Sequence, residues 1–137
     1  MSEENIYSVA KNNRPLLRDP YPSEDRYFKS NPKVSGMMTD DDRVILNPYS
    51  GLSSDEEDSV YKNESIRLYM RKNEVNPEFD LTDEQESFFK GTEYEADSLN
   101  KRRTLTARII AGDPSAGKFT PEQADFAEAL RKKMGIQ

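Results

Sequence analysis

The chain contains no cysteine, no histidine and no tryptophan. Without cysteine there is no disulfide framework, no thiolate metal site and no cysteine nucleophile. Without histidine the side chain that titrates near neutral pH is missing. Acid–base work would fall on carboxylates, and a Ser or Thr nucleophile would need a lysine to activate it. No spacing in the sequence suggests such a pair, and with 26 acidic residues a neighbouring carboxylate pair carries almost no information. Apolar residues are scarce as well: 34% of the 137 residues are hydrophobic and an equal share are charged. A typical globular chain is roughly 45–50% apolar. Ordering a residue costs about 1–2 kcal/mol of backbone entropy, so the composition predicts at most one domain with a small core. It points to a chain that is disordered or is ordered by a partner.

Two further absences bear on location and ligands. No apolar run is long enough to span a bilayer and no secretory leader is visible, so the expectation is a protein made and kept in the cytosol, without membrane contact. There is no basic surplus either: 20 Lys and Arg stand against 26 Asp and Glu, a net charge of −6. That argues against broad nucleic-acid binding, which needs cations facing phosphates.

What is present is strongest at the C-terminal end. Leu99, Leu105, Thr106, Ile109 and Ile110 share one side of a helical wheel, and Gly112 suits the left-handed residue that ends a helix. Phe119-Thr-Pro-Glu-Gln123 is a start signal, with Thr120 as N-cap, Pro121 at the first helical position and Gln123 closing a capping box. Phe126, Ala127, Leu130 and Met134 form the stripe of that helix, and Gly135 ends it after Arg131–Lys133. The two segments predict an αα-hairpin. Its core should be Leu99, Leu105, Ile109, Phe119, Phe126, Leu130 and Met134, assisted by Phe88 or Phe89.

Upstream, Ser54 and Glu57 stand at capping-box spacing and open a helix that should run to about Lys72. Its apolar residues fall on two faces, so it needs two neighbours: its own hairpin, and a partner. Leu81-Thr82-Asp-Glu-Gln85 repeats the apolar-Thr-acid-Gln opening of the last helix. The helical half thus reads 54–72, 83–90, 97–111 and 121–134.

Residues 15–53 differ in kind. They hold five of the eight prolines (Pro15, Pro20, Pro22, Pro32 and Pro48), with hydrophobic residues between them that follow neither a 3.6 nor a 2.0 period. Prolines extend a backbone, and spaced aromatic and aliphatic side chains along it supply anchors. Leu16, Leu17, Tyr21, Tyr27, Phe28, Met37, Met38, Ile45, Leu46 and Tyr49 are the candidate partner-binding residues. Thr39-Asp-Asp-Asp42 before Arg43-Val-Ile-Leu46 reads as one or two helical turns, closed by a turn at Asn47–Gly51. A short helix is also expected within residues 1–14, capped by Ser2.

Three motifs suggest chemistry and are weak. Gly112-Asp-Pro-Ser-Ala-Gly-Lys118 matches most of the phosphate-binding loop pattern, but Phe119 stands where Ser or Thr should hold magnesium, and a helix rather than a strand precedes it. The acid runs Asp40–Asp42 and Asp55–Asp58 lack the alternation and central glycine of a calcium loop and suit helix N-termini. Arg102, Arg103, Arg108 and Arg131–Lys133 read as solvated flanks or interface charges.

The expectation is therefore a mainly α protein with no catalytic, cofactor or metal site. A helical module over 54–137 follows an extended, proline-rich arm over 1–53 that is ordered by partner subunits. The function expected is structural: a non-enzymatic assembly protein strapping neighbouring subunits in a large complex. The package suits a minor bacteriophage virion component, at the portal–tail connection or the capsid surface. The alternative is a small acidic regulatory binder or inhibitor that folds on a target enzyme. A nucleotide-dependent enzyme ranks last.

Overall fold

The computed structural model describes residues 14–113 and 117–135. The helix expected near the N-terminus lies outside them. The described chain is mainly helical, in the order α1 (Pro22–Ser30), β1 (Gly36–Met38), β2 (Val44–Leu46), α2 (Ser54–Lys72), α3 (Asp83–Phe88), α4 (Ser98–Ala111) and α5 (Pro121–Met134).

The element at the centre is α2, not the α4–α5 hairpin. It packs against α4 on one side and against both strands on the other, while α5 closes onto α4. Tyr61, Ile66, Leu68, Tyr69 and Met70 of α2 form the main cluster with Leu16, Val44, Ala107, Ile110, Ala127, Leu130 and Met134. Both of the neighbours that its two apolar faces require come from its own chain. Of the expected hairpin core, Leu105 instead joins Phe79 in a second cluster flanked by Ile109 and Phe126, and Phe126 meets Phe79 edge-on at 5.8 Å. Phe89 is buried, whereas Phe88 and Phe119 are exposed.

The described part of the expected arm is a folded layer. β1 and β2 pair antiparallel, with Met37 opposite Ile45, through a loop in which the Thr39 hydroxyl accepts from Arg43 N (2.9 Å) and Asp42 takes a left-handed φ of 61°. Val44–Leu46 is thus a strand and not a helical turn. Three acids in a row supply a tight polar loop here, and the β-branched pair Val44-Ile45 favours the ladder. Residues 16–18 add an edge to the same sheet: Val44 N donates to Leu16 O (3.0 Å) and Arg18 N to Val44 O (3.1 Å). The Tyr61 hydroxyl accepts from Leu16 N (3.0 Å), and Arg14 pairs with Asp58, both fastening this edge to α2. Gly36 is required where β1 crosses α2, because a Cβ there would stand 2.8 Å from Val60 Cγ1 and 2.9 Å from Ile45 O. Asn47, expected only as a turn residue, is buried, and its amide donates to Val34 O (2.6 Å) and Asn31 O (3.1 Å), tying the end of α1 to the hairpin.

The helix boundaries follow local signals. α2 is capped by Ser53 with Glu56 at N3, one residue earlier than the Ser54–Glu57 spacing suggests. Its C-terminus is a Schellman motif in which Val75 N reaches Met70 O (2.9 Å) and Glu74 takes the left-handed position at φ 52°. Thr82 and Thr120 cap α3 and α5 through capping boxes. The repeat has a consequence in space. Gln85 and Gln123 form a reciprocal amide pair, each Nε2 donating to the other's Oε1 at 2.7 Å. Each Oε1 also accepts its own cap's backbone N–H (2.9 and 3.0 Å), and each second Nε2 hydrogen meets a backbone carbonyl, Lys118 O or Asp80 O. Two short helix starts are locked head to head, with both amides fully satisfied.

Candidate binding surfaces

The ten candidate contact residues divide into three groups. Leu16, Phe28 and Ile45 are buried in their own chain, with Phe28 the single buried residue of α1. As partner anchors they are corrected: their apolar area is already spent inside the fold. Leu17, Met37, Met38 and Leu46 are half-buried, and Leu17 and Met38 flank the main cluster. Tyr21, Tyr27 and Tyr49 point outward, at 56%, 45% and 42% exposure.

α1 and its N-cap present Tyr27 and Tyr21, and Tyr49 follows β2. Phe28 holds one side of the helix inward, which turns Tyr27 to a flank where it lines a groove of about 260 Å³ with Met37, Met38, Glu24 and Asp40. Tyr21 sits at the N-cap, and the Arg18 guanidinium lies 3.8 Å from its ring centre. Arg18 also grips Glu24 through two bonds (2.7 and 2.9 Å) and Asp41 through two more (both 3.0 Å), clamping α1 to the hairpin loop. These bonds from Arg18 hold the Glu24 and Asp41 carboxyls below their ordinary values. The Tyr49 hydroxyl donates to Asp25 (2.9 Å), which fixes its ring and raises its pKa.

A second concave region lies between α2, α4 and the 33–36 turn, with a volume of about 400 Å³. On its wall the Arg67 guanidinium donates to Glu64 (3.0 and 3.2 Å) and to the Tyr94 hydroxyl (3.0 Å), and lies 5.2 Å from the Tyr94 ring centre. Glu64 and Arg67 are both buried, and burial pushes the Glu64 carboxyl up despite the cation beside it. Arg67 Nε and Thr104 Oγ1 are buried without a hydrogen-bond partner. Helical spacing shows that 64 and 67 share a face; it says nothing of a cleft, which depends on where Tyr94 and Thr104 arrive.

The loop resembling a phosphate-binding motif joins α4 to α5, and residues 114–116 lie outside the described ones. Lys118 is exposed, and its carbonyl is engaged by Gln85. The acid run Asp40–Asp42 forms the hairpin loop, where Asp42 meets Arg71 (3.0 Å) and Lys72 (3.7 Å). Among the described residues no group of three or more Asp and Glu is placed to hold a metal ion, and no helix is long and apolar enough to cross a membrane. No protein family, curated protein or solved structure matches the chain.

Proposed function

We propose that the chain is a non-enzymatic subunit of a larger protein assembly, docking through α1 and the adjoining hairpin. The carrying observation is the outward display of Tyr21 and Tyr27 on a short helix clamped in place by Arg18. Five aromatic side chains are exposed among the described residues, and Tyr21 and Tyr27 are the two carried by α1 and its N-cap. Tyrosine and methionine are enriched where protein surfaces meet, tyrosine because it buries a large area for few rotatable bonds and methionine because its flexible, polarizable side chain adapts to the partner. Glu24 and Asp40 beside the Tyr27 groove, with the net charge of −6, select a partner that presents a cationic rim. The chain needs no long arm to strap its neighbours in this reading; it contributes a preformed patch. A minor component of a bacteriophage virion fits the small size, the acidity and the lack of cysteine.

The test is site-specific photo-cross-linking in the native host, with the reactive residue at position 27 and, as control, at the exposed position 132 of α5. A discrete adduct with a structural protein from position 27 alone is expected. Adducts from position 132 alone, or none from either, would overturn the docking surface.

A further inference from the structure

We propose that the cleft between α2, α4 and the 33–36 turn binds a monocarboxylate. Two observations carry this independently of the docking patch on α1. The first is a surplus of donors. Arg67 spends its two terminal nitrogens on Glu64 and Tyr94, which leaves the Nε–H edge of the guanidinium without an acceptor. Arg67 is 8% exposed and Thr104 only 3%, and both line the cleft. A buried donor left unpaired costs about 1–3 kcal/mol, so such groups mark the place of an acceptor that completes the site. A carboxylate supplies two acceptor oxygens in one plane, which suits a guanidinium edge and a hydroxyl on the lining of one cleft.

The second observation is charge. Lys33 and Arg108 also line the cleft, and neither forms an ion pair among the described residues; the Arg108 guanidinium lies 5.7 Å from the Phe89 ring centre instead. Three cations on the lining (Lys33, Arg67, Arg108) face three acids (Glu64, Glu93, Asp113). The sum is zero. Such a lining tolerates one negative charge and resists two, which separates a carboxylate from a phosphate dianion. The volume of about 400 Å³ admits a small organic acid or the end of a peptide.

Two sources share this chemistry, a free acid and a carboxyl-terminated chain, and two probes distinguish them. The full-length protein, labelled with ¹⁵N, is titrated with propionate and with a short peptide in its free-acid and amidated forms, and the Arg67 Nε–H resonance is followed. A saturable shift with propionate or with the acid peptide, and none with the amide, is expected. Thr104→Val should leave thermal stability equal or higher, because it removes a buried unpaired hydroxyl, yet weaken binding. Arg108→Gln should weaken it about tenfold by removing a charge from the rim. The proposal is overturned by no saturable shift with any probe through the millimolar range, which would mean that water alone completes the donors. Equal shifts in both variants, or tighter binding of inorganic phosphate than of propionate, would overturn it as well.

Discussion

At the scale of single residues, stability rests on side chains whose polar or apolar needs are met from distant parts of the chain. Gln123 is fully buried and bonded through both amide atoms. Gln123→Ala would strand the Gln85 amide, and loss of a buried partner costs about 1–3 kcal/mol. Urea unfolding followed by circular dichroism should show that loss, while Gln85→Ala combined with Gln123→Ala should cost less than the two single changes added. Phe28 is fully buried, and Phe28→Ala should cost about 3–5 kcal/mol, whereas Tyr27→Ala one position earlier should leave the midpoint within about 0.5 kcal/mol. Glu74 points the opposite way. It occupies a left-handed position that glycine takes without penalty, so Glu74→Gly should raise stability by up to about 1 kcal/mol, and a fall in the melting temperature would contradict the strain.

At the scale of elements, legibility followed locality. α2, α4 and α5 begin and end within a residue of their capping signals, because Thr120, Pro121, Gly112 and Gly135 act through bonds to their own neighbours. β1 and β2 were not legible: three-residue strands have no measurable period, and their pairing depends on a loop closed by the Thr39 side chain. Tyr21, Tyr27 and Tyr49 are exposed and Phe28 is buried, yet nothing local distinguishes them, because the burial of Phe28 depends on where α1 lands. The donors of the cleft were beyond reach for the same reason, since Arg67 and Thr104 come to line one cleft only through the packing of α2 on α4. The Arg18 clamp yields a pH prediction at this scale. Glu24 and Asp41 have depressed values in the fold, so the unfolded chain binds their protons more readily. Their contribution is complete above the ordinary carboxyl range near pH 4 and is lost as the pH falls through the depressed values. The difference in melting temperature between the wild type and Arg18→Gln should therefore be largest near neutral pH and shrink on acidification. A constant difference would show that Arg18 acts through the Tyr21 ring alone.

At the scale of the whole molecule, a sparse apolar budget is stretched by putting one long helix in the middle. α2 uses both faces, so the same buried residues serve the strand layer and the helical layer. The composition suggested a chain unable to close a core without help, and the two-sided helix is how it does so. Polar fasteners complete the joint: Arg71 donates to Thr39 O and pairs with Asp42, and Tyr61 receives the Leu16 amide. What remains outside, on α1 and in the cleft, is therefore surface available to others rather than surface the fold has yet to cover. This claim is tested most directly by hydrogen exchange on the isolated full-length chain. The amides of Arg18, Thr39, Val44 and Asn47, each bonded across the strand layer, should be protected together with those of the α2 core, opening in one cooperative event. Free exchange at these four amides, beside protected α2, α4 and α5, would show an arm that folds only on a partner, and would contradict the account.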